Sequence, residues 1–296
     1  MKIIAMKIIK FLLLVITAVF GFIFFMIFPR LFNLKEEDIS IKWDQIIPTL
    51  KVIFIHLSEL SYESFESFLL QGSLLEGYKY SLTIMSISTL IVISIGSIIA
   101  FAVIIMPLKL RNLAKNFLNF FEGIPDLLII FTLQFTVIIV FKNYGIKLFQ
   151  LYGFGEAQPL FFPTITTSIL PSLFFAQFLI NIMEEEKEKN YILLGQAKGL
   201  SKIYIYVNHL LRNIFPFIII HFKTIFYMIL SNLVLIEYMF GLGGYTHELF
   251  VALTHPRSTV LTIIYSLFLL IIPVLVLELL IGIIGKVKSK KVGVSI

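Results

Sequence analysis

The stretch LTIMSISTLIVISIGSIIAFAVIIM, residues 82–106, decides the fold, because it runs without a single Asp, Glu, Lys or Arg. A helix rises about 1.5 Å per residue, so roughly 20 such residues cross the hydrocarbon core of a bilayer. Apart from Gly96 and six Ser or Thr every position is apolar, which is the pattern of a helix bordered by lipid or by other helices rather than by water. Working outward, the same criterion places five more spans, at about residues 8–28, 117–141, 161–182, 214–240 and 259–285. Pro125, Pro163 and Pro171 interrupt the third and fourth. Proline is tolerated in membrane helices where neighbours satisfy the freed carbonyls, so these prolines are read as kinks facing the bundle interior. The first apolar run follows Lys2, Lys7 and Lys10, as in a secretory signal peptide, but it is longer than an h-region and ends in Ile27-Phe28-Pro29-Arg30 without a small-x-small site. It is read as a retained span.

Composition agrees with a fold class of all-α, polytopic membrane protein with about six transmembrane helices. Hydrophobic residues make up 58% of the 296 and charged residues only 14%, and the mean hydropathy is +0.97. A soluble domain carries about a quarter charged residues, which excludes an ordinary water-soluble enzyme. The net charge of +6 does not indicate nucleic acid, because Lys and Arg sit in short clusters beside the spans. Lys2, Lys7 and Lys10, then Lys109, Arg111 and Lys115, then Lys187, Lys189, Lys198, Lys202 and Arg212, and finally Lys286, Lys288, Lys290 and Lys291 all fall on one side. The positive-inside rule makes that side cytoplasmic, with both termini inside. The domain plan is therefore a first helix at 1–28, an extracytoplasmic segment at 29–81, a five-helix core at 82–285 that includes a cytoplasmic loop at 183–213, and a basic tail at 286–296. With no Cys in the chain, disulfides and Cys-based metal or redox sites are excluded.

The outer segment carries the pattern Leu57, Leu60, Tyr62, Phe65, Phe68, Leu69, which predicts an amphipathic helix at the outer surface. Ionisable and polar residues inside spans are costly and mark paths or interhelical contacts. Gln134, Gln177, Asn181, Asn232 and Glu237 are the candidates for a translocation path, with Lys223 and Glu278 also intramembrane. The five His residues offer no ligand pair on one helix face, so no metal site is expected. Gly241-Leu-Gly-Gly244 lacks the strand and helix context of a phosphate loop and is read as a flexible outer turn. The run Glu184 to Lys189 is read as a solvated helix extension.

The informative loop is NYILLGQAKGLSKIYIYVNHLLRNIFP, residues 190–216. Good helix formers from Asn190 to Lys198 predict a short helix stopped at Gly199, since glycine is the usual C-terminal cap. Ser201 then caps a second helix leading into the fifth span. The result is a helix-turn-helix elbow. Its small residues Gly195, Ala197 and Gly199 would let a partner approach closely, while Tyr191 and Leu194 would insert as apolar anchors.

At Asn190-Tyr-Ile-x-x-Gly-x-Ala-Lys-Gly-Leu-Ser-Lys and Asn208-His-x-Leu-Arg-Asn-x-x-Pro216, the chain resembles the binding-protein-dependent ABC-transporter permeases of the oligopeptide/dipeptide/nickel type. Glu237-Tyr-Met-Phe-Gly-Leu-Gly-Gly244 is similar to a second stretch of that family, and Gly123-Ile-Pro-Asp126 and Ser81-Leu-Thr are weaker likenesses. Asn190 stands where the family has an acidic residue and Gln196 where it often has Arg, as in a divergent member. The resemblance implies that Tyr191, Leu194, Gly195, Ala197, Lys198, Gly199 and Leu200 form a coupling helix seated in a groove of a cytoplasmic ATPase. It further implies two ATPase subunits, a second permease (homologous or identical), an extracytoplasmic solute-binding protein and the lipid bilayer as partners. The chain itself would have no catalytic residue and no cofactor, ATP being bound by the partner subunits; it holds no Gly-x-x-x-x-Gly-Lys-Ser/Thr motif. Peptides are the expected solute, with nickel or another metal complex as the alternative. An ATP-independent secondary transporter would call for inverted repeats, which the sequence lacks.

Overall fold

The computed structural model describes residues 21, 32–35, 38–41, 43, 46–58, 61–70, 74–146, 149–152, 158–254 and 260–292. The expected first span at 8–28 lies outside the described residues apart from Gly21. The remaining expectation of a helical membrane protein holds: among the described residues five helices are long and apolar enough to cross a bilayer, within Leu74–Ile105, Asp126–Tyr144, Phe161–Lys187, Lys202–Met239 and Leu261–Ile284. The chain divides into two compact units, one of Met1–Leu75 with Leu249–Ile271 and one of Glu76–Glu248 with Ile272–Ile296.

In the first unit an antiparallel hairpin, β1 (Phe32–Lys35) and β2 (Asp38–Ile41), pairs Phe32 with Ile41 and Lys35 with Asp38. This small ribbon of two four-residue strands is confined to the segment 29–81 and leaves the fold class all-α. Two helices follow, α1 (Ile46–Ser58) and α2 (Tyr62–Leu69). The single amphipathic helix expected through Leu57 to Leu69 is thus divided, and Leu60 lies outside the described residues. Ser61 restarts the chain as a capping residue: its hydroxyl accepts from the Ser64 amide at 3.2 Å, and Ser64 Oγ accepts from the Ser61 amide at 3.2 Å. Such reciprocal satisfaction of free amides fixes a helix start. Phe65 and Phe68 then meet the Tyr265 ring at centroid distances of 5.2 and 5.4 Å, and Ser64 and Tyr265 share a hydrogen bond.

The second unit holds α3 (Leu74–Ile105, entering from the first unit), α4 (Leu108–Glu122), α5 (Asp126–Tyr144), α6 (Phe161–Lys187), α7 (Asn190–Ala197), α8 (Lys202–Ile205), a π-turn at Tyr206–Leu210 and α9 (Leu211–Met239). α10 (Tyr245–Thr254) and α11 (Val260–Val292) complete the chain and cross between the units. The central helix is α6, which packs on α9 and α4. Gly96 of α3 lets that helix close on α6, since a Cβ there would sit 3.0 Å from the Ser172 carbonyl and against the Phe175 ring. The core is aliphatic and aromatic, with Ile84, Val92, Phe175, Ile180, Met183, Ile214 and Ile229 all buried.

The third span needs correction. It does not run from 117 to 141: residues 108–122 form the separate helix α4, and the span starts at Asp126. Gly123 caps α4 and Pro125 is the residue before α5, so this proline starts a helix instead of kinking one. α4 is amphipathic, burying Leu118 while Arg111 and Lys115 reach Glu184 on α6 at 3.3 and 2.5 Å. Glu184 is therefore an ion-pair partner, a correction to the solvated reading of 184–189. Pro163 falls in the first turn of α6, where its missing N–H costs nothing, and only Pro171 is interior.

Candidate functional site

The elbow forms as its residues dictate. Gly199 takes φ +76°, a left-handed conformation open to glycine. The Leu200 amide donates to the Gly195 carbonyl at 3.2 Å and the Gly199 amide to the Gln196 carbonyl at 2.9 Å, the paired bonds of a Schellman helix end. Ser201 then caps α8 by accepting from the Tyr204 amide at 3.3 Å. Ile192 and Ile205 are fully enclosed between the two short helices and the bundle. Gly195 departs from expectation: its Cβ position lies 3.1 Å from Ile205, so this glycine lets α7 close on α8 and offers nothing to a partner. Tyr191 also turns inward. Its hydroxyl donates to Glu186 Oε1 at 2.9 Å and meets the Asn213 side chain, tying the elbow to α6 and α9. Burial, above all, raises the Tyr191 phenol from its ordinary value of 10.0 to about 12. Glu186, buried, also pairs with Lys189 at 2.6 Å. The outward surface keeps Leu194, Ala197, Lys198, Gly199 and Leu200, to which the fold adds Leu193, Ile203 and Tyr204; Leu194 and Ile203 are each 61% exposed.

At the far end of α9 a second motif closes by the same device. Gly241 has φ +56°, with the Leu242 amide donating to the Glu237 carbonyl at 3.0 Å and the Gly241 amide to the Tyr238 carbonyl at 3.3 Å. The turn is not an open one: Leu242 is buried, and the Gly243 amide donates to Gln158 Oε1 at 3.2 Å. The Glu237 carboxylate, 0% exposed, accepts from Ser81 Oγ at 2.6 Å, from the Thr246 amide at 2.8 Å and from Thr246 Oγ1 at 2.6 Å. Ser81 Oγ in turn accepts from the Tyr245 amide at 2.7 Å. A carboxylate at the first amides of α10 satisfies donors that a helix start leaves free. Gly244 must be glycine, because a Cβ there would overlap the Glu237 carboxyl.

A family model described as binding-protein-dependent transport system inner membrane component matches residues 92–294, which contain the elbow and the Glu237 latch. The chain belongs to that family. It is 30% identical over 152 residues to the dipeptide transport system permease protein DppB of Lactococcus lactis subsp. cremoris (strain MG1363), covering 50% of each chain. It is also 30% identical over 135 residues to the DppB of the same description from Bacillus subtilis (strain 168), covering 45% of this chain and 44% of the relative. The chain thus spans about half the length of the curated relatives it matches. As an inner membrane component with five long apolar helices among the described residues, it is a multi-pass protein of the cell membrane.

In this inner membrane component the polar residues of the spans are dispersed. Gln134 donates to Tyr152 Oη at 2.9 Å and borders an open depression along α5. Asn232 is buried, contacts Asp126, and leaves its Oδ1 without a hydrogen-bond partner among the described residues. Gln177 and Asn181 share a cavity with His221 and Thr224. Glu237 is enclosed by its donors and borders neither space. Lys223 and Glu278 pair with each other. Ser81, Gln158, Thr246, Glu186, Asn213 and Ile205 are the supporting residues that sequence reading passed over. Ser81 and Asn213 lie within the quoted motif likenesses and Glu186 within the run 184–189, but none was assigned its contact, and Gln158 acts through a contact 85 residues away.

Proposed function

We propose that this chain is the membrane-spanning permease subunit of an ATP-driven ABC importer for dipeptides or oligopeptides, with its elbow as the coupling helix. The supporting observation is the elbow itself: an apolar outward surface carried by two short helices whose inward residues are bonded to α6 and α9. A surface made of Leu193, Leu194, Leu200, Ile203 and Tyr204 with Lys198 and Lys202 at its edge suits a groove in another protein. The elbow lies among the basic clusters, so the positive-inside rule puts it in the cytoplasm, within reach of an ATPase. Closure of two ATPases on ATP would draw paired elbows together, and the links through Tyr191, Glu186 and Gly195–Ile205 would carry that motion into α6 and α9. A second permease completes the path, and an extracytoplasmic binding protein delivers solute. Gln134, Gln177 and Asn181 are the path residues favoured by their position beside open space. The peptide assignment is supported by the names of the relatives.

Because the chain has no native Cys, a Lys198→Cys variant carries a single thiol at the elbow. Cross-linking of that thiol to the co-expressed ATPase, altered by ATP, is the expected result. No cross-link from Lys198 or from a Leu194→Cys companion, with both proteins present in the membrane, would sink the coupling assignment.

A further inference from the structure

Among the exposed positions of α9, Asn213, Phe217, His221, Thr224, Tyr227 and Ser231 lie three or four residues apart and therefore on one face, with the exposed Ile220 beside them. Bare polar groups are costly against lipid, so a face this polar within a span borders water, ligand or protein. Part of it opens on a cavity of about 250 Å³ bordered by Glu122 of α4, Gln177, Phe178 and Asn181 of α6, and His221 and Thr224 of α9. Gln177 is only 5% exposed, and its Oε1 has no hydrogen-bond partner among the described residues. Its Nε2 donates to Asn181 Oδ1 at 3.4 Å, which leaves the unpaired acceptor for the cavity. A buried acceptor without a donor is a cost that a ligand can remove. The one formal charge on the wall is the Glu122 carboxylate, and no Lys or Arg is among the bordering residues. Phe178 and His221 lie ring to ring at 4.4 Å and form an aromatic side.

A buried acceptor, a carboxylate and an aromatic wall together suit a primary ammonium and disfavour a carboxylate. The volume is below the roughly 300–1,000 Å³ of a site that encloses a whole ligand, so the cavity takes one end of a larger molecule. We infer that this cavity, between α4, α6 and α9, binds the free amino terminus of the transported peptide. This rests on the peptide-importer reading above and assigns a subsite within it.

The test uses Thr224→Cys as the only thiol, in membranes carrying the assembled transporter, reacted with a water-soluble maleimide. The probes are dialanine, dialanine amide and N-acetyl-dialanine. Dialanine and its amide should slow labelling while the acetylated peptide does not, and Glu122→Gln or Gln177→Leu in the same background should raise the protecting concentration about tenfold. Equal protection by the acetylated probe, labelling unaffected by any probe, or a thiol inaccessible to the reagent would each overturn the site. Uptake of labelled dialanine by cells with the unaltered protein is measured in parallel. Uptake without amine-selective protection removes only the subsite, whereas amine-selective protection without uptake keeps an ammonium site and removes the peptide assignment.

Discussion

Two side chains hold this protein's motifs in place, Glu237 by accepting from donors around it and Tyr191 by donating to Glu186. Glu237 joins α3, α9 and α10 because Ser81 and Thr246 both donate to its fully buried carboxylate. Glu237→Gln replaces one acceptor oxygen by an NH₂ that must face a donor, and leaving a buried group unsatisfied costs about 1–3 kcal/mol. The expected outcome is a lowered unfolding midpoint with faster amide exchange at Thr246; exchange unchanged at that residue would contradict the latch. Tyr191 holds the elbow to Glu186 and Asn213, so Tyr191→Phe should cost about 1 kcal/mol locally and reduce ATP-coupled transport more than membrane expression. The phenol's ordinary value is 10.0 and burial raises it to about 12. A group raised in the folded state contributes fully below its unfolded value and loses that contribution as pH rises through the folded one. The transport deficit of Tyr191→Phe should therefore be the same across about pH 6–9, and a deficit that varies within that window would point to another titrating group.

Helix ends do as much here as helix bodies. α7 and α9 both terminate in a left-handed glycine followed by a leucine, Gly199-Leu200 and Gly241-Leu242, with the same pair of amide-to-carbonyl bonds. Each glycine sets the direction in which the next short helix leaves. Replacing it with alanine imposes a penalty of about 1–2 kcal/mol on that geometry. Gly145, φ +67° at the end of α5, bears the same backbone strain outside either motif. Gly199→Ala is expected to impair ATP-coupled transport while Gly145→Ala, with equal membrane levels, leaves it near normal. Equal impairment by the two would mean that strain alone, and not the elbow, is responsible.

For the molecule as a whole, the distribution of basic residues makes a statement about sidedness that labelling can check. A single Cys at Lys198 should react from the cytoplasmic face, and one at Ser67 of α2 from the opposite face. Reaction of both from the same side would overturn the topology.

What the sequence settled by itself was local: apolar length marked four of the five described spans, 259–285 against Leu261–Ile284 within a turn but 82–106 starting eight residues after Leu74, and Gly199 and Ser201 marked the elbow's turn. These features depend on residues a few positions apart, whose hydrogen bonds are closed within one turn. The tertiary structure alone decided the rest. Residues 117–122 left the third span for α4, which ends at Gly123 and is held on α6 by Arg111 and Lys115 against Glu184, some seventy residues on. Gly195 and Tyr191 turned inward because Ile205 and Glu186 stood beneath them. Glu237 became a latch when Ser81 and Thr246 met at its oxygens, and Glu122 joined Gln177 and Thr224 around one cavity. Which distant groups share a buried space depends on how helices pack, and the period of a helix carries no record of its neighbours.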